Sequence, residues 1–283
     1  MQNANIVYYY CDEKVFNSIM KEHKLWLTSI WDLNDSSEVH WTFKKVWAKV
    51  RDELNKTLTD KQKELITLIN GEINYKMYEA YSYYIICFSR ESDLLSQWRG
   101  YADDGKGFSV GINLEKITSN KNVPWFSTDI KKSIGVAPVT YDFDKQCKIL
   151  LGIMEQILEM DYSESPLITA LMNLSIKATI FKNPYFFEEK EVRLMCAAEI
   201  SNGTSNCFDK SWILDGIFEH TNSIGKTTHI ELDLMKCNQD RCIESVVLGP
   251  KNKYTTDEIH KYLFNNGFSI TKDKVNYSEG TYR

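Results

Sequence analysis

Two clusters hold most of the chemistry this sequence can offer. In the first, Ser89, Trp98, Arg99, Tyr101 and Lys106 bring a hydroxyl, cations and flat aromatic surface to the end of one apolar run, a setting where small-molecule sites commonly form. In the second, FKNPYFFEEKEVR carries Glu188, Glu189 and Glu191 ahead of Arg193. Glu191 and Arg193 are two residues apart, which puts both side chains on one face of a strand. Exposed, such a pair is worth under about 1 kcal/mol; opening on a cleft at the strand's entrance, it becomes a candidate site.

The elements that must position the first cluster are legible nearby. Tyr83 to Phe88 is a continuous β-branched and aromatic run, short enough to be a strand buried on both faces. Asp93 is a candidate N-cap for a short helix with Leu94, Leu95 and Trp98 facing inward. Trp98 then has two readings, core anchor and ligand platform. Asp103 to Gly107 form a turn, and Phe108, Val110 and Ile112 alternate with smaller residues in a second strand. Gly107 and Gly111 allow a close approach to that backbone.

The rest of the chain reads as strands interrupted by helices. Ile6 to Tyr10 is a strand, and Asp12 caps a helix whose buried stripe is Val15, Phe16, Ile19 and Met20. A short strand ends at Ser29, and Asn34 and Asp35 sit in a polar turn that also offers ligand contacts. Helical periodicity covers about 38–81 as an insertion, broken at Thr57 to Asp60, and a second helical pair covers about 143–181. Residues 120–132 predict an irregular excursion. Further strands are predicted over 135–141, from Glu191, over 227–234 and over 242–248. A helix over 256–266 ends at Gly267 and leads into a final strand at 268–271. Together these predict one α+β domain over 1–283, with a single mixed or antiparallel sheet and helical insertions.

Composition narrows the function classes. The 283 residues carry a net charge of −5, which argues against non-specific capture of nucleic acid. The opening MQNANIVYYYCDEK lacks the pattern of a secretory signal, and no run of roughly eighteen apolar residues occurs, so a cytoplasmic location without membrane contact is expected. Seven cysteines are scattered singly, and neither they nor the histidines show zinc spacing, so no metal is expected. GxGxxG, GxxxxGK[ST] and GxSxG are all absent. Any dinucleotide is therefore held in a non-Rossmann way, and the mark of a serine-triad hydrolase is missing.

Several stretches, taken in order, resemble a bacterial family catalogued as a domain of unknown function, DUF2971. They are VYYYC, LWLTSIWDLNDSSE, IICFSRESDLLSQWRGYADDGKGFSVGIN, FKNPYFFEEKEVR, VVLGPKN and YSEGTYR. The usual family version of the first motif has a histidine where this chain has Tyr9. The layout is in turn similar to ADP-ribosyltransferase-like folds, and that resemblance implies an activity and roles. The protein would consume NAD as a substrate, as a toxin or anti-phage defence effector that modifies a macromolecular acceptor, protein or nucleic acid. Tyr9 and one of Glu191, Glu188 and Glu189 would be catalytic, with Glu191 first. Tyr10, Thr28, Asn34, Ser89, Trp98, Tyr101, Lys106 and Arg193 would contact NAD. Lys182 and Arg99 are further cations for the pyrophosphate. The alternative is a catalytically degenerate binding module that senses a nucleotide or phage component for a defence-system partner protein, a reading that Tyr9 in place of histidine favours.

Overall fold

The computed structural model describes residues 6–33, 37–74, 81–124, 133–160, 165–201, 204–205, 214–222, 225–236 and 242–281. In chain order the elements are β1 (Ile6–Cys11), α1 (Glu13–Glu22), β2 (Lys24–Ser29), α2 (Ser37–Trp41), a π-helical turn (Thr42–Val46), α3 (Trp47–Leu54), α4 (Asp60–Asn74), β3 (Tyr81–Ser89), α5 (Leu95–Tyr101) and β4 (Phe108–Asn113). There follow β5 (Ile134–Pro138), α6 (Phe143–Leu158), α7 (Pro166–Ala178), a 3₁₀ segment (Pro184–Glu189), β6 (Glu191–Ser201), β7 (Thr204–Ser205), β8 (Leu214–Asn222), β9 (Gly225–Asp233), β10 (Ile243–Leu248), α8 (Thr256–Asn265) and β11 (Val275–Tyr277). Among the described residues no helix is long and apolar enough to cross a membrane.

The strands form one mixed sheet in an α+β arrangement, with β10 and β11 parallel and the remaining pairs antiparallel. Its main path runs β11-β10-β4-β1-β3-β2-β9-β8, and β6, paired with β5 and β7, branches from β3. On one edge β3 pairs with β6 from Tyr81↔Glu199 to Ser89↔Glu191. On its other edge it pairs with β2 at Tyr84 and Ile85 and with β1 at Ser89. Between those points β1 and β2 part, and the sheet opens beside Ile86, Cys87 and Phe88.

Alternation along β3 divides the core, as the period of two requires. Tyr84, Ile86 and Phe88 join an apolar cluster with Phe16, Ile19 and Met20 of α1 and Ile259 and Leu263 of α8. Tyr83 and Ile85 join a second, built on Val46, Trp47, Ile69, Leu150, Leu174 and Phe181 under the helices of the opposite face. The all-apolar run Tyr83 to Phe88 is thus a strand covered on both sides.

Several boundaries differ from the sequence reading. Helical structure in the first insertion is described to Asn74, and β3 already begins at Tyr81. The hairpin strand β8 was not anticipated, and the last strand lies at Val275–Tyr277, not at 268–271. Asp12 caps α1 as expected, accepting from the Val15 N–H at 2.7 Å. Asp93 does not cap α5: the N-cap is Leu94, while Asp93 Oδ1 accepts from the Trp98 indole and from Ser278 Oγ, both at 2.6 Å. Leu95, expected inside, is 49% exposed. The turn with Asn34 and residues 125–132 of the irregular excursion lie outside the described residues.

Gly107 and Gly111 are approached by neighbouring strands. A Cβ on Gly107 would sit 2.1 Å from the Cys11 carbonyl oxygen, and one on Gly111 2.2 Å from Ser245 Oγ. The obstacle at Gly107 is backbone, which cannot rotate away. Gly107→Ala is therefore expected to push β1 from β4 and lose about 1–3 kcal/mol, read as a lower urea midpoint; an unchanged midpoint would refute this packing.

Candidate functional site

A cavity of about 330 Å³ opens where β1 and β2 part. β1 and the cap of α1 supply Tyr9, Tyr10, Cys11 and Asp12, and β2 supplies Trp26 and Thr28. β3 supplies Ile85 to Phe88, α5 supplies Gln97 and Tyr101, and the β6 approach supplies Lys182, Glu189 and Glu191. The size falls at the lower end of small-molecule sites, roughly 300–1,000 Å³. Behind Trp26 the His229 ring stacks at 3.9 Å, and burial lowers the pKa of that imidazole, favouring its neutral form.

The polar end of the cavity is a buried charge network. Glu191 Oε1 accepts from Arg193 Nε at 2.6 Å, and its Oε2 accepts from Arg193 Nη2 at 3.2 Å and Lys182 Nζ at 3.0 Å. Lys182 also donates to Glu189 Oε2 at 2.6 Å, and Arg193 Nη1 to the Thr179 carbonyl at 2.9 Å. Burial pushes the Glu191 pKa up, but Arg193 and Lys182, helped by a hydrogen bond from the Cys87 thiol, outweigh it and hold the carboxyl well below the usual range. The site therefore contains a carboxylate that stays ionised, suited to electrostatic stabilisation and poorly suited to taking up a proton.

Of the residues singled out in the sequence as site candidates, Tyr9, Tyr10, Thr28, Tyr101, Lys182, Glu189 and Glu191 line the cavity. The Tyr10 hydroxyl is already engaged, donating to the Glu91 carbonyl at 2.8 Å and accepting from the Leu94 N–H at 2.9 Å. Glu191 does not stand in open solvent at the strand's entrance; it is 5% exposed and ion-paired. Arg193 lies deeper on the same face, fully buried behind it and outside the cavity lining.

Ser89, Trp98, Lys106 and Glu188 are not among the lining residues. Ser89 Oγ donates to the Glu189 carbonyl at 2.8 Å and accepts from the Glu91 N–H, so it shapes the turn. Trp98 is 1% exposed, meets Tyr10 edge-to-face at 4.8 Å and gives its N–H to Asp93, which makes it an anchor and not a platform. Lys106 pairs with Asp103 in a turn whose backbone is held by Asn252. Glu188 is exposed because successive side chains of a 3₁₀ segment point about 120° apart, so Glu189 and not Glu188 faces Lys182. Asn34 lies outside the described residues.

The sequence reading missed Gln97. It is 8% exposed, lines the cavity and makes no hydrogen bond to any described residue. Its amide atoms are not sealed from solvent, so the unpaired amide is presented to the cavity. Its spacing of four from Tyr101, which places both on one face of α5, was the signal available.

Two outcomes follow for stability. Glu191→Gln is expected to destabilise by about 3–5 kcal/mol near neutral pH, because it strips a buried arginine of its counter-charge. A carboxylate with a depressed folded-state pKa stabilises above its unfolded value and loses that contribution as pH falls through the folded value. The melting gap between wild type and Glu191→Gln should thus be widest above about pH 5 and close in acid; a gap independent of pH would refute the network. Trp98→Ala should cost about 3–5 kcal/mol, and an unchanged melting midpoint would mean that Trp98 is not a core anchor.

No curated protein and no solved structure matches this chain. A family match exists, and it includes Gln97, Tyr101, Lys182, Glu189, Glu191 and Arg193 but neither β1 nor β2. Residues 97–194 match the family model described as Protein of unknown function (DUF2971), the family that the sequence motifs resemble.

Proposed function

We propose that the protein is an ADP-ribosyltransferase-like enzyme that consumes NAD and transfers ADP-ribose to a macromolecular acceptor inside a bacterial cell, as a toxin or anti-phage defence effector. The observation that carries this reading is the ionised Glu191 in the wall of a cavity set into a parted sheet, with Tyr9 and Thr28 on the two diverging strands. Breaking the nicotinamide–ribose bond sends the bonding electron pair to the nicotinamide ring nitrogen and leaves positive charge on the ribose. A fixed carboxylate lowers the energy of that charge. It can also accept a hydrogen bond from a ribose hydroxyl. The acceptor's lone pair then forms the new bond to the ribose carbon, and its proton leaves to a group other than Glu191, whose low pKa makes it a weak base.

On this reading one half of the dinucleotide would enter the cavity of about 330 Å³ and the remainder would lie across its opening. The 3₁₀ segment that brings Glu189 to the cavity also exposes Tyr185 (82%) and Phe187 (67%), apolar surface of the kind that marks a partner contact. These rings support a macromolecular acceptor over water. One observation favours the binding-module alternative: Glu191 is engaged by Arg193 and Lys182, so the carboxylate also has a purely structural explanation.

Incubating the protein with labelled NAD and cell lysate tests the proposal. Release of nicotinamide and retention of label on macromolecules are expected. Glu191→Gln, assayed where its melting curve shows it folded, should lose about 10²- to 10³-fold in rate. No turnover by the wild type with lysate present would favour the binding module, and full activity in the variant would remove Glu191 from the mechanism.

A further inference from the structure

We propose that Gln97 is the specificity residue of the cavity and that it pairs with the primary carboxamide of a planar ring, an inference that rests on the NAD-consuming reading and assigns the nicotinamide end to α5. Gln97 is more than nine-tenths buried, lines the cavity and has no hydrogen-bond partner among the described residues. Its amide atoms are not sealed from solvent, so the bonds they can make are presented to whatever fills the cavity, and a ligand that displaces water there must return them. A carboxamide carries one acceptor oxygen and two N–H donors. The complementary edge therefore presents a donor and an acceptor side by side, and a primary amide does so through two antiparallel N–H to O bonds.

The surroundings favour a flat ring behind that amide. Tyr101, one turn further along the same face of α5, lines the cavity, as do Tyr9 and Phe88, whose rings meet edge-to-face at 6.0 Å. A carboxylate on the same ring has acceptors alone, which would set one of its oxygens against Gln97 Oε1 and leave that oxygen without a donor. A site built to hydrogen-bond one polar group rejects an isostere that cannot return the bond. The cavity is thus expected to separate an aromatic carboxamide from the matching aromatic carboxylate.

The test measures dissociation constants of the purified full chain for nicotinamide, benzamide, nicotinate and adenosine, by titration calorimetry or ligand-observed NMR. The proteins compared are the wild type, Gln97→Leu and the near-isosteric Gln97→Met. The wild type should bind both amides about tenfold or more tightly than nicotinate, and both variants should lose about tenfold for the amides with little change for nicotinate. Melting midpoints of the variants should equal or exceed the wild type's, because no protein hydrogen bond is lost; a fall in both would show a structural role and overturn the assignment. It is also overturned if the variants keep the amide preference, if nicotinate binds the wild type as well as nicotinamide, if adenosine alone binds through Gln97, or if none of the ligands binds. NAD turnover is measured separately. Turnover with an unaltered Gln97→Leu refutes this inference alone, whereas amide selectivity lost in Gln97→Leu without any turnover refutes the catalytic reading alone.

Discussion

The structure depends on how β3 is paired. One edge is zipped to β6 along nine residues, from Tyr81 to Ser89, while the other is shared by β2 at Tyr84 and Ile85 and by β1 at Ser89. Two strands that meet one edge at different points must diverge between them, since each sheet neighbour needs about 4.8 Å of lateral room and twists relative to the next. The opening beside Ile86 to Phe88 is the result. It sets a cavity against a strand covered on both faces, where a polar group is shielded from water and each charge acts more strongly than it would on the surface.

That shielding explains the composition of the cavity's polar end. Lys182, Glu191 and Arg193 are each at most 5% exposed, so none would be tolerated alone. With Glu189 they form a chain of alternating sign, and the Thr179 carbonyl takes a further guanidinium proton. The network ties the Pro184–Glu189 segment to the start of β6 and holds one carboxylate ionised at the cavity wall. Positioning and electrostatics are thus one arrangement, and a substitution there acts on both.

A second set of contacts fixes α5, which supplies Gln97 and Tyr101. Trp98, next to Gln97 and about 100° round that short helix from it, fills the space against Tyr10 and donates to Asp93. Asp93 in turn accepts from Ser278 Oγ and, at 2.6 Å, from the Glu279 N–H, fastening the end of the chain to its centre. The LGPKN stretch closes on the same region, with the Lys251 N–H donating to the Gly105 carbonyl and Gly249 to that of Gly107. Motifs far apart in the chain therefore meet around the one helix that aims an unpaired amide into the cavity.

Local pattern was enough for much of this architecture. The apolar run at Tyr83 to Phe88, the Asp12 cap, the break near Thr57 to Asp60 and the shared face of Glu191 and Arg193 all follow from periods of 3.6 and 2 and from side-chain chemistry a few residues away. Tyr101 and Glu191 were legible as site candidates on the same terms, whereas Tyr9 and Thr28 entered only through the family resemblance. What tertiary structure decided was the partner of each polar group. Asp93 reads as a cap because Asp at that offset commonly is one, but the indole beside it and Ser278, nearly two hundred residues away, claim its oxygens. Glu191 reads as standing at the strand's entrance, on a cleft or paired at the surface, but Lys182, Arg193 and the Cys87 thiol of β3 close over its carboxylate. Gln97 carried no signal beyond its spacing, because an amide's lack of a partner is a property of everything around it. Periodicity is written along the chain, while burial and pairing arise between segments and exist only after they meet.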